Sequence, residues 1–138
     1  MVAAACRPDP EFRPDETLQA ELGLTERDEV HTVTITGGEV EHSEPSVTTV
    51  SPGVFVQFVT TDWLVHEVIF EADSMLAEAL DFMTLNDQMV SPPLMHKDSR
   101  FVVSFLDAPA GRYPFRLEGN GGSARGAVIV TDPEGSKR

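Results

Sequence analysis

The stretch Gly111 to Val130, GRYPFRLEGNGGSARGAVIV, decides the fold. Gly-x-Tyr-x-Phe opens a strand over Arg112 to Leu117, and a glycine-rich loop follows. Gly126 then leads a closing strand over Ala127 to Thr131. Aromatic and β-branched residues suit the pleated, half-buried surface of a sheet. VHEVIF from Val65 to Phe70 and FVVSFL from Phe101 to Leu106 read the same way.

Working outward, Val30 to Thr36 alternates, with His31, Val33 and Ile35 on one side and threonines on the other. Gly37-Gly38 turns that strand. Val40 to His42 reads as a brief strand, broken at Ser43-Glu-Pro45. Val47 to Val50 and Val54 to Val59 are strands joined by Ser51-Pro-Gly53, whose Pro-Gly suits a type II turn. Val54, Val56 and Phe58 would line one face. Two helices interrupt the strands. Asp15 to Leu22 puts Leu18 and Leu22 on one side and ends at Gly23, so it should plug one end of a sheet. Ser74 to Asn86 repeats Met75, Leu76, Ala79, Leu80 and Met83 at helical spacing. It reads as a lid over the core, with a methionine-lined binding groove as the alternative. About seven short strands with close turn signals predict an all-β, Greek-key β-sandwich with one or two short helices. Tyr113, just past the Asp107 to Gly111 corner, fits a tyrosine corner whose hydroxyl bonds backbone a few residues upstream.

Composition narrows the function. The chain has 10 basic and 23 acidic residues, a formal net charge of -13, which opposes docking on nucleic acid or anionic lipid. An acidic surface favours a basic protein partner; a merely solvated surface is the alternative. Cys6 is the single cysteine, so no internal disulfide and no Cys-x-x-Cys zinc site can form. No apolar run approaches the roughly eighteen residues of a membrane span. The chain divides into an extended, proline-rich arm over 1–14, one domain over 15–131 and a polar tail over 132–138. No Gly-x-Ser-x-Gly elbow or His-Glu-x-x-His is present, and Gly119 to Gly122 leads into a strand where a phosphate cradle needs a helix. No residue pattern marks an enzyme.

The order and spacing of Ser51-Pro-Gly53, Val65 to Phe70, Ser91-Pro-Pro-Leu94, Gly111 to Phe115 and Gly126 to Val130 resemble the cupredoxins, the plastocyanin and azurin family of small copper proteins. A blue-copper site needs two histidines, a cysteine thiolate and a weak axial methionine. The resemblance puts His66 at the first histidine ligand's place, Leu117 at the cysteine's and Asn120 at the second histidine's. The methionine's place falls near Ala124 or Arg125. Leucine has no lone pair to offer, and asparagine is a hard oxygen donor poorly matched to copper. The resemblance therefore implies the frame without its copper, and no cofactor. An atypical copper site from His66 and His96 is the alternative, in a periplasmic copper-binding or electron-transfer protein.

The resemblance also implies a role. The metal end of these proteins docks redox partners, and here it would gather Trp63, Leu64, Pro93, Leu94, Met95 and Asn120. The expectation is a non-enzymatic accessory subunit, periplasmic or otherwise outside the cytoplasm. It would dock on a membrane protein complex, such as an electron-transfer or photosynthetic assembly. Trp63 folded over the core end is the competing reading. The start, Met1 to Cys6, resembles the tail of a bacterial lipoprotein cleavage site, which would make Cys6 a lipid anchor; an incidental terminal cysteine is the alternative.

Overall fold

A computed structural model describes residues 12–37, 40–119 and 122–132. Most of the expected arm with Cys6, most of the tail, and Asn120 lie outside these residues. The described residues form two four-stranded sheets. Strands β1 (Val30–Thr36), β2 (His42–Glu44), β4 (Phe55–Thr60) and β6 (Arg100–Ser104) make one, in the order β2-β1-β4-β6. Strands β3 (Val47–Val50), β5 (His66–Phe70), β7 (Gly111–Gly119) and β8 (Gly122–Val130) make the other, in the order β3-β8-β7-β5. The chain crosses between sheets, so β1 pairs parallel with β4 and β3 parallel with β8. The remaining pairs are antiparallel. This is the expected sandwich.

Its core lies between the sheets. Val33, Ile35, Val56, Phe58 and Val103 from one meet Val68, Phe70, Tyr113, Phe115, Leu117 and Val128 from the other. Phe58 is fully buried, with its ring 5.1 Å from that of Phe115 and 6.2 Å from that of Phe70. Alternation along β4 buries Val54, Val56 and Phe58 as expected. Gly53 has φ 97, the left-handed backbone that the second central residue of a type II turn requires.

Four expectations need correction. The strand before Pro45 is His42–Glu44, because Ser43 is buried and pairs with Ile35. Helix α1 (Glu16–Leu22) does not plug a sheet end. Leu18 packs with Leu24 and Val30 in a small cluster separate from the main core, and Phe55 and Val102 lie against it. Asp15 caps α1 by accepting from Leu18 N and also pairs with Arg100 on β6 at 2.9 Å. Helix α2 (Ala77–Leu85) starts later than its spacing implied: Leu76 is its exposed N-cap, while Ala79 and Met83 reach the core. Finally, β7 and β8 pair as far as Gly119 with Gly122, so the strands run further than expected into the glycine-rich stretch.

Helix α2 covers the end of the sandwich opposite His66, with Phe82 against Phe105 and Tyr113. No helix among the described residues is long and apolar enough to cross a membrane. The Tyr113 hydroxyl donates to Pro109 O at 2.7 Å, four residues upstream, so the tyrosine corner is present. Burial, followed by the Glu78 charge, pushes its phenol up to about 12. Tyr113 is the chain's single tyrosine, so its ionisation can be read without interference. Phenolate absorbance should rise at about 12, against about 10 for an exposed tyrosine. A midpoint near the exposed value would mean the corner is open to water.

Candidate functional site

The site is built around His66, the first residue of β5. The β5–β7 register sets it directly opposite Gly119. On its other side, His66 N donates to Leu94 O at 3.0 Å and Leu94 N donates to His66 O at 2.8 Å. The imidazole is fully buried. Each ring nitrogen meets a carboxylate: Nδ1 lies 2.7 Å from Glu41 Oε1, and Nε2 lies 2.7 Å from Asp62 Oδ1.

Loop geometry delivers both carboxylates. Asp62 sits in the β4–β5 connection, where its Oδ1 also accepts from Leu64 N and its Oδ2 accepts from Gly37 N at 2.7 Å. Glu41 leads into β2 and is 5% exposed. Its Oε2 is buried with no partner among the described residues. Two glycines admit this carboxylate. A Cβ on Gly119 would overlap Glu41 Oε2, and a Cβ on Gly37 would come within 2.8 Å of His66 Cε1 and 3.0 Å of Glu41 Oε2.

A ring with a carboxylate on each nitrogen is best satisfied as an imidazolium, since both nitrogens then donate. Burial opposes the charge on His66, but the hydrogen bonds and charges of Asp62 and Glu41 outweigh it and raise the imidazole above its ordinary value. Burial likewise works against the Asp62 charge. Bonds from Gly37 N, His66 and Leu64 N outweigh it and hold the carboxyl below its usual range.

The fold superposes on solved structures of small proteins. Plastocyanin from Dryopteris crassirhizoma matches with TM-score 0.52 and 18% identity, over 72% of this chain and 99% of that one. The fold is that of the cupredoxins. A purple cupredoxin from Nitrosopumilus maritimus matches at TM-score 0.48 and 16% identity, covering 73% of this chain and 99% of that chain. Amicyanin from Paracoccus versutus matches at 0.49 and 20%, covering 73% and 80%. No protein-family model and no curated protein matches the sequence.

Copper, which the cupredoxin frame implies, does not fit the residues present. Both lone-pair directions of His66 are taken, and Glu41 fills the space beside Nδ1. Leu117, expected at the place of the thiolate, is a buried aliphatic two positions from Gly119 on β7. Ala124 pairs with Leu117 and Arg125 with Arg116, on a regular strand. Glu41 and Asp62 approach opposite edges of the ring and cannot converge on one ion. Among the described residues no group of three or more His, Cys, Asp or Glu side chains is placed to hold a metal.

The structure places the remaining expected residues as follows. Trp63 is 70% exposed, with Met95, Val65 and Leu64 exposed beside it in the chain segments that flank His66. Pro93 is exposed as well. Leu94, expected on the same rim, belongs instead to the core, because its two-way backbone bridge to His66 turns the side chain inward. The His96 ring stands edge-on to Trp63, 5.9 Å between centroids, while both ring nitrogens of His66 meet carboxylates. Sequence reading missed Glu41 and Asp62. Asp62 lies four residues before His66, a weak local signal. Glu41 lies 25 residues away, and no spacing marks it.

Two predictions follow from the charges. A raised histidine stabilises the fold fully below its unfolded value, about 6.5, and that contribution is lost as pH rises through the folded value. A lowered aspartate stabilises above its unfolded value, about 3.9, and is lost as pH falls through the folded value. Calorimetric melting temperature should therefore be highest in the mildly acidic range and fall on both sides. In His66→Gln the alkaline fall should shrink; an unchanged alkaline limb would show that His66 is not the titrating group. Glu41→Ala should cost about 3 kcal/mol in denaturant unfolding, as expected when one partner of a buried ion pair is removed. A cost under about 1 kcal/mol, the range of exposed pairs, would mean that the network is not closed to water.

Proposed function

We propose that this chain is a non-enzymatic binding subunit that uses the cupredoxin frame without its copper. It docks on a membrane protein complex outside the cytoplasm, of the electron-transfer or photosynthetic kind. The observation that carries the reading is the Glu41–His66–Asp62 network. Both nitrogens of His66, the residue that the resemblance puts at a metal ligand's place, are held by carboxylates, while the apolar rim around it stays exposed. Electron transfer needs the metal; docking needs only the rim.

Exposed aromatic and methionine side chains on a rigid base are frequent interface anchors. Trp63 has such a base, since Asp62 binds Gly37 N, Leu64 N and His66 at once. The net charge of -13 selects a partner whose docking face is basic.

Affinity isolation from native membranes tests the reading. The tagged chain should retain a defined membrane complex, and added salt should weaken retention. Trp63→Ala should reduce retention about tenfold, as for a hot-spot residue. The same variant should leave unfolding free energy within about 0.5 kcal/mol, as for a surface site. Recovery only as a free monomer, or one tightly bound copper per chain with visible absorption, would overturn the proposal. A large loss of stability in Trp63→Ala would return that residue to the core.

A further inference from the structure

The outward face of β7 and β8 carries a cluster of positive charge that the docking reading does not use. Arg112, Arg116 and Arg125 share it, and the register sets Arg116 directly opposite Arg125. Like charges in that relation repel across a ladder. Glu71 is the carboxylate that reaches both: its Oε2 lies 3.4 Å from Arg125 Nη2 and 3.9 Å from Arg116 Nη1. Arg116 has a second partner in Glu118, 2.8 Å from its Nε. Arg112 is exposed and its side chain makes no hydrogen bond or ion pair among the described residues. The hydroxyls of Ser46 and Ser74 are likewise unbonded there.

These unused donors surround one cleft. Arg112, Arg125, Ser46, Ser74, Glu71 and Pro114 are among the residues that line its volume of about 250 Å³. Two guanidinium groups face one carboxylate, so the lining is positive within an otherwise acidic molecule. At physiological ionic strength charges act over about 8 Å, so the cleft is governed by its own groups more than by the distant acidic surface. Its volume falls below the roughly 300 Å³ of a small drug-like pocket, which suits a single anionic group.

We propose that this cleft binds a small oxyanion of the phosphate class. Arginine presents its donors as a planar fork, and hydroxyls add single donors from other directions. Glu71 already serves Arg125 as a planar carboxylate partner. The donors left over, those of Arg112 and Arg125 and two serine hydroxyls, come from four residues that line the same cleft. That arrangement matches a tetrahedral oxyanion better than a second carboxylate. The neighbouring hollow, which shares Glu71, Ser74 and Arg125 but adds Asp73 and Arg116, has balanced charge and lacks this preference.

Amide NMR titration with inorganic phosphate, at constant pH and ionic strength with chloride as the matched control, tests the proposal. Phosphate should give saturable shifts at Ser46, Ser74, Arg112 and Arg125. Arg112→Gln and Arg125→Gln should each weaken binding about tenfold, the loss of one charged hydrogen bond. Trp63→Ala should leave it unchanged, which separates this site from the docking rim. Phosphate should also raise the melting temperature of the natural chain but not of the double Gln variant. Shifts that grow linearly and equally with chloride would overturn the site. Acetate binding as tightly as phosphate would overturn the phosphate assignment.

Discussion

A buried imidazole held between two carboxylates closes one end of this sandwich. Through side chain or backbone, His66 ties together the β4–β5 loop, the residue before β2, the end of β7 and the segment at Leu94. Taking an ion from water into a protein costs several kcal/mol even after relaxation. That cost is tolerable here because each ring nitrogen has an anionic acceptor at 2.7 Å, within the range of strong charge-assisted bonds. The arrangement still leaves one carboxylate oxygen, Glu41 Oε2, buried without a partner among the described residues. Gly37 and Gly119 have their meaning from this network, since a Cβ at Gly119 would overlap the Glu41 carboxylate and one at Gly37 would crowd the His66 ring and that carboxylate.

The network acts as a mechanical tie. It fixes several loops at one end without the core having to supply a sulfur ligand. Leu117 then serves packing alone, buried among Val68, Phe115 and their neighbours. The opposite end is closed by different means, with α2 and the tyrosine corner covering Phe105 and Tyr113. The two ends therefore respond to different conditions: one depends on protonation, the other on apolar burial and a neutral hydrogen bond.

Charge is also divided over the surface. The chain is strongly acidic, yet three arginines gather on the outward face of β7 and β8, and two of them, Arg116 and Arg125, share the carboxylate of Glu71. Trp63, Val65 and Met95 gather near the imidazole instead. An apolar rim and a basic cleft on separate faces offer separate places for binding.

The sequence by itself determined the sandwich. Alternation in Val54 to Phe58, Pro-Gly before it, and Tyr113 after its corner are local patterns, and local sterics and burial enforce them. It also carried the expectation, from the resemblance, that Leu117 stands where the frame would need a thiolate. Only the tertiary structure decided what surrounds His66. Glu41 and Asp62 look like ordinary surface acids in the sequence, because their pairing with His66 depends on loop paths and on two glycines far apart in the chain. The inward turn of Leu94 and the extension of β7 and β8 to Gly119 and Gly122 were hidden for the same reason. Both follow from backbone pairing with distant strands, which side-chain periodicity does not encode.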